Sequence, residues 1–129
     1  MKNLLFILIL ASSVAAVTPQ NFNLGQITEA LSRGNADALG AYFDNSVEIA
    51  VLGDEDVYSK AEAVRVVKNF FSKHKPRAFS QVHRGTSKGK DSQYCIGNLA
   101  TGGGTFRVYV YMKVAGGKNL IQELRFDKE

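Results

Sequence analysis

Thr101-Gly102-Gly103-Gly104 separates two long runs of alternating side chains, and this hairpin signal constrains the fold more than any other feature of the chain. A two-residue turn with both central glycines free to take positive φ sets Leu99 opposite Phe106, Gly97 opposite Val108, Cys95 opposite Val110 and Gln93 opposite Met112. The other face of the same pair joins Ile96 to Tyr109 and Tyr94 to Tyr111. The first face reads as a core and the second as aromatic but wet. The pattern predicts strands near 77–86, 92–101, 104–115 and 119–127, so everything after Pro76 is strand and turn.

Gly116-Gly117 leaves two registers open for the last strand. A strict two-residue turn would place Glu123 and Arg125 on the core face beside Val110 and Val108, as a charged pair suited to a ligand. One bulged residue would bring Leu124 and Phe126 there instead. Burying two charges usually costs more than a local kink, so the bulge is favoured.

Upstream the period is helical. Leu24, Ile27, Ala30 and Leu31 recur on one face, Gly34 is placed to end that helix, and Asn35 to cap a second one carrying Ala38, Leu39, Tyr42 and Phe43. Val47, Ile49 and Val51 then alternate as a strand, Gly53-Asp54-Glu55-Asp56 turns the chain, and Val57-Tyr58 returns. Ser59-Lys60-Ala61-Glu62 is a capping box that opens a third helix with Val64, Val67, Phe70 and Phe71 as its buried stripe, closed by Pro76. The resulting class is α+β, with three helices packed on one face of a curved antiparallel sheet and a small β-hairpin between the second and third.

A chain of 129 residues, 45% hydrophobic and 22% charged, suits one globular domain. The first 16 residues stand apart: a short positive start at Lys2, an apolar run from Leu4 to Ala11, and small residues at Val14-Ala15-Ala16 read as a cleavable signal peptide. The run is too short for a transmembrane span. Residues 17–129 are therefore expected to form a single exported domain, periplasmic or secreted, with no membrane association after cleavage. Its single cysteine allows no internal disulfide, and no Cys/His spacing suits zinc or another metal. A net charge of +4, with no aromatics interleaved among Lys68, Lys73, Lys75, Arg77, Lys88 and Lys90, argues for a solvated face rather than nucleic-acid binding.

Several segments together carry a family resemblance. They are Gly34-Asn35-Ala36-Asp37 with Tyr42-Phe43, Val57-Tyr58-Ser59-Lys60, Phe70-Phe71 before Pro76, and Val82-His83-Arg84-Gly85. Tyr94-Cys95-Ile96-Gly97, Gly104-Thr105-Phe106-Arg107-Val108-Tyr109 and Leu124-Arg125-Phe126 complete the set. The order of elements resembles the nuclear transport factor 2-like (cystatin-like) superfold, which implies a cone-shaped, curved antiparallel sheet with the three N-terminal helices packed on its concave face. These residues are similar to those of a family of small exported proteins, best known from Bacteroidetes, whose function is unknown. The resemblance implies a fold and export; it brings no reaction. Some members of the superfold are isomerases, dehydratases or epoxide hydrolases that use a carboxylate base in an apolar cone. No position here matches their catalytic sets.

His83 and Cys95 are the residues nearest to chemistry. His83 is read on the same face as Phe79 and Gln81, and the partner strand carries Cys95; a touching Cys–His pair could make a nucleophile. The 86–92 loop leaves that contact open, and a packed histidine beside a small buried cysteine is the favoured reading. His74, between Lys73 and Lys75 at a helix end, is structural. Glu48 alternates against Val47 and Ile49 and points to water. The outer face, with Tyr94, Ile96, Tyr109 and Tyr111, suits a protein interface. The sequence therefore points first to a non-catalytic module, with no cofactor and no catalytic residues, that forms a homodimer or binds a protein partner. A binder of a small molecule in the cone near Tyr58, His83 and Cys95 comes second, and an isomerase- or dehydratase-like enzyme third.

Overall fold

The computed structural model describes residues 24–89 and 91–129; the expected signal peptide at 1–16, like Lys90, lies outside the described residues. The chain runs α1 (Leu24–Arg33), α2 (Ala36–Gly40), β1 (Phe43–Val51), β2 (Asp54–Ser59), α3 (Lys60–Lys73), β3 (Pro76–Thr86), β4 (Ser92–Thr101), β5 (Gly104–Ala115) and β6 (Lys118–Lys128). The strands form one curved, unclosed sheet in the order β2-β1-β6-β5-β4-β3.

Local chemistry sets the helix ends. Gly34, at φ +65, ends α1, and the Asn35 carboxamide accepts the Ala38 N–H to open α2. The Ser59 hydroxyl accepts the Glu62 N–H at 3.3 Å, as the capping box requires. Helix α2 is only one turn long: it stops at Gly40, and Phe43 begins β1 instead of extending the helical face. Gly40 is close enough to Val64 of α3 that a Cβ there would meet the valine methyl at 2.3 Å, so the two helices need a glycine at their crossing.

The β4–β5 register is the one the turn dictates, with Leu99 opposite Phe106, Gly97 opposite Val108 and Cys95 opposite Val110. Positive φ falls on Gly104 rather than on Gly102 and Gly103. The Thr101 hydroxyl holds the turn, donating to the Gly104 carbonyl at 2.6 Å and accepting the Gly103 N–H at 3.1 Å. At the other hairpin Gly116 and Gly117 both take positive φ, and β6 then carries the one-residue shift: Tyr111 faces Glu123 while Met112 faces Ile121, leaving Gln122 as the extra residue. Leu124 and Phe126 thereby pair with Val110 and Val108 on the core face, and Glu123 and Arg125 point outward.

Two further details differ from the expectation. The sheet is not wholly antiparallel, because β6 pairs with β1 in parallel, Ile49 beside Leu124 and Val51 beside Phe126. The turn after β1 is shorter than read: Leu52 (φ +51) and Gly53 (φ +88) make it, and Asp54 already belongs to β2.

The helices and one face of the sheet enclose the core. Ile27, Leu31, Leu39, Val67, Phe70 and Phe71 pack against Val47, Ile49, Leu99, Val110, Leu124 and Phe126, all with 5% exposure or less. Burying each large apolar side chain is worth about 1.5–3 kcal/mol, which is how a domain without a disulfide holds together.

Candidate functional site

Strand alternation turns the other side chains of β4 and β5 away from the helices, and there Tyr94, Ile96 and Tyr109, half-buried, form an aromatic strip with the exposed Tyr111. Tyr94 pairs across strands with Tyr111, and Ile96 with Tyr109. The Tyr94 and Tyr111 rings lie 6.2 Å apart, and Tyr111 is 40% exposed. Charges frame the strip. Arg107 donates to the Asn98 carboxamide at 2.8 Å and reaches Glu129, while Arg125 lies 3.3 Å from Glu123 and 3.8 Å from Glu55. An apolar centre within a polar, hydrogen-bonded rim is the anatomy of a protein-binding face.

His83 belongs to this face, not to the face of Gln81. A register shift between Gln81 and His83 leaves Val82 as an extra residue, so His83 pairs with Ile96 and turns outward. Its Nε2 lies 2.7 Å from the Tyr94 hydroxyl, and the Tyr94 ring covers Gly85, where a Cβ would fall 2.4 Å from the ring. The glycine is what lets the ring lie flat over the edge strand.

Cys95 lies on the opposite side of the sheet. It is fully buried, and its thiol donates to the Gln81 side-chain carbonyl at 3.7 Å. Burial pushes the thiol up from 9.0 to about 11, and Arg84 offsets this only in part. The Cys–His nucleophile considered above is therefore excluded by geometry: one bulge puts the sheet between the two groups, and the thiol stays protonated at neutral pH.

Tyr58 is in a third place. It is half-buried on β2, in a cleft beside α3 with Val51, Val66, Phe70 and His74. Tyr58, His83 and Cys95 thus do not line a common pocket, and the space enclosed by sheet and helices around Cys95 is filled by Leu99, Val110 and other fully buried side chains. Among the described residues, no group of three or more His, Cys, Asp or Glu is arranged to hold a metal ion, and no helix is long and apolar enough to cross a membrane.

A buried thiol of raised pKa makes a direct prediction. A thiol reagent should label Cys95 in the folded protein at least about 100-fold more slowly than in denaturant, because reaction needs the exposed thiolate. The raised pKa also stabilises the fold below pH 9, and this contribution is lost as pH rises towards 11. The stability advantage of the parent over Cys95→Ala should shrink by on the order of 2 kcal/mol between about pH 8 and pH 11. Denaturant melts of both proteins check this, and the five tyrosines, common to both, cancel in the difference.

Similarity to known proteins extends across this whole region. A family model described as Domain of unknown function (DUF4783) matches residues 24–127. A crystal structure of a DUF4783 family protein from Bacteroides ovatus is 31% identical, with a TM-score of 0.77 over 81% of this chain and 93% of the other. A second, from Bacteroides fragilis, is 28% identical, with a TM-score of 0.76 over 81% and 96%. A variant of the protein Rd1NTF2_05 is only 14% identical but has a TM-score of 0.63 over 79% and 90%, which is a likeness of fold alone. No curated protein matches the chain.

Proposed function

Because the chain belongs to the DUF4783 family, a domain of unknown function, we propose that it works as a non-catalytic, exported interaction module, a homodimer built on the outer face of its sheet. The observation that carries this reading is the strip of Tyr94, Ile96, Tyr109 and Tyr111 on the face away from the helices, framed by Arg107, Arg125 and Glu123. Tyrosines at the centre of a face, with arginines at its rim, are the residue types in which binding energy concentrates. A symmetric pair would bury the same patch twice, which is the cheapest route to a closed assembly. The residues at 1–16 support export, and the curved sheet with its helices supports a cone-like frame whose interior is occupied by its own side chains.

Native mass spectrometry on the mature protein should give a dimer with no added mass. Tyr109→Asp should give a monomer with an unchanged far-UV spectrum, since it removes the central ring and carries a charge into a dry interface, a cost that Arg125 opposite it, already paired with Glu123, offsets only in part. A monomeric parent, or a dimer that survives Tyr109→Asp, would defeat the reading.

A further inference from the structure

At one end of the outer face the aromatic strip opens into a cleft of about 580 Å³. Its walls include Tyr94, Tyr111, Gln122, Glu48 and Glu123, and among the described residues no lysine, arginine or histidine lines it. That is unusual in a chain of net charge +4. Just outside the lining Arg125 reaches Glu123 at 3.3 Å, and Lys113 acts on Asp44, which accepts a hydrogen bond from Gln122 at 3.2 Å.

The two glutamates stand opposite each other on the parallel strands β1 and β6, a placement in which like charges disfavour one another. Arg125 relieves Glu123 at 3.3 Å, whereas Glu48, half-buried, has no ion pair among the described residues. Beside them the Tyr94 and Tyr111 rings, 6.2 Å apart, offer the electron-rich faces that attract a cation and cover its alkyl stem. The volume lies within the usual range for small-ligand sites.

We propose that this cleft binds an organic cation, an alkylammonium or guanidinium group. Glu48 is its principal charge partner, Glu123 shares the charge, and the two tyrosine rings form the wall. The cation supplies the counter-charge that Glu48 lacks among the described residues. The cleft lining among those residues holds acids and no lysine or arginine, and so selects by charge. The group can come from a free polyamine or from a lysine or arginine side chain of another protein, since both present the same chemistry. Tyr94, Tyr111 and Glu123 serve both the proposed interface and this cleft, whereas Tyr109 and Ile96 lie outside its lining. The assembly reading is judged by mass, and the titration is run on the parent and on Tyr109→Asp, whose cleft no partner copy would cover.

The test is a proton–nitrogen NMR titration of the mature protein with spermidine and, separately, with the blocked tripeptide acetyl-Gly-Arg-Gly-amide. At low salt at least one probe should saturate with Kd on the order of 1 mM or tighter, shifting resonances around 48, 94, 111 and 122–123. Stronger binding of spermidine identifies the source as a free polyamine, and stronger binding of the tripeptide identifies it as a protein side chain. Glu48→Gln should weaken binding about tenfold, and raising salt from about 50 to about 300 mM should weaken it further. Lys113→Ala should leave it as tight or tighter. Glu123→Gln, read on its own well-dispersed spectrum, gives a second measure and should also bind more weakly. No saturable shift with either probe up to about 20 mM, or undiminished affinity in both glutamine variants, overturns the proposal.

Discussion

Phe126→Ala should cost the domain about 3–5 kcal/mol, the largest loss expected from any single truncation here. Phe126 is fully buried at the centre of an aromatic cluster: its ring lies 4.3 Å from that of Phe70 and 6.0 Å, edge-on, from that of Phe71, and Phe70 in turn meets Phe106 at 5.2 Å. Removing the ring leaves a void between α3 and the sheet that neither strand neighbour can fill, since Val51 and Val108 are fixed by the ladders on either side. A domain of this size has roughly 5–15 kcal/mol of stability in all, so the variant should be marginal, with Tm lower by about 10–20 °C. Denaturant melts should show a lower midpoint and an unchanged slope. Phe126→Leu, which keeps most of the volume, should recover more than half the loss. A cost below about 1 kcal/mol for the alanine would mean that the cluster carries little of the fold's stability.

The second large effect is expected at Gly97→Ala. A Cβ there would fall 2.2 Å from Cζ of Phe79 and 2.6 Å from the carbonyl oxygen of Ser80. The ring could swing away, but the carbonyl belongs to the backbone of β3 and cannot move without shifting the edge strand. Overpacking of this kind usually costs about 1–3 kcal/mol, and the value should lie at the upper end. The backbone contact also predicts where the damage appears: amide protection should fall along β3, with β5 and β6 little changed. Adding Phe79→Ala to Gly97→Ala separates the two causes. If the double variant is no less stable than Phe79→Ala alone, the ring was the whole obstacle and the argument from the carbonyl is wrong.

These residues also show how far the sequence could be read. Leu124 and Phe126 could be assigned to the core because the alternative buried Glu123 and Arg125, an energy difference large enough to choose a register. The β4–β5 pairing was legible for a similar reason: a short glycine turn leaves few registers, and only one buries Leu99, Phe106 and Val108 together. The bulge at Val82 carries no such signal. Ser80, Gln81, Val82 and His83 are all exposed, so nothing in their polarity distinguishes a flipped His83 from an unflipped one. Phe43 was misplaced because a phenylalanine at the end of an apolar stripe suits a helix or a strand equally, and tertiary packing decides between them. The aromatic strip was visible residue by residue. The acidic cleft beside it was not, because Glu48 and Glu123 are brought together only by the parallel β1–β6 pairing, a contact between distant parts of the chain.

That pairing bears on how the domain assembles in time. Strand β6 is the bridge between two partial sheets, β2-β1 on one side and β5-β4-β3 on the other, and among the described residues no other strand joins them. Until β6 is available, β1 and β5 each present a bare edge to solvent, and the hydrophobic side chains of α3 have only half a floor to rest on. Assembly therefore cannot finish from the N-terminus forward. It waits for the last strand to be delivered, and the loop that must close to place it spans most of the domain, which favours slow, all-or-none folding over a stepwise build-up. A nascent chain halted before Leu124 would be an aggregation-prone precursor with two unsatisfied edges, and the release of one strand converts it into a finished sheet.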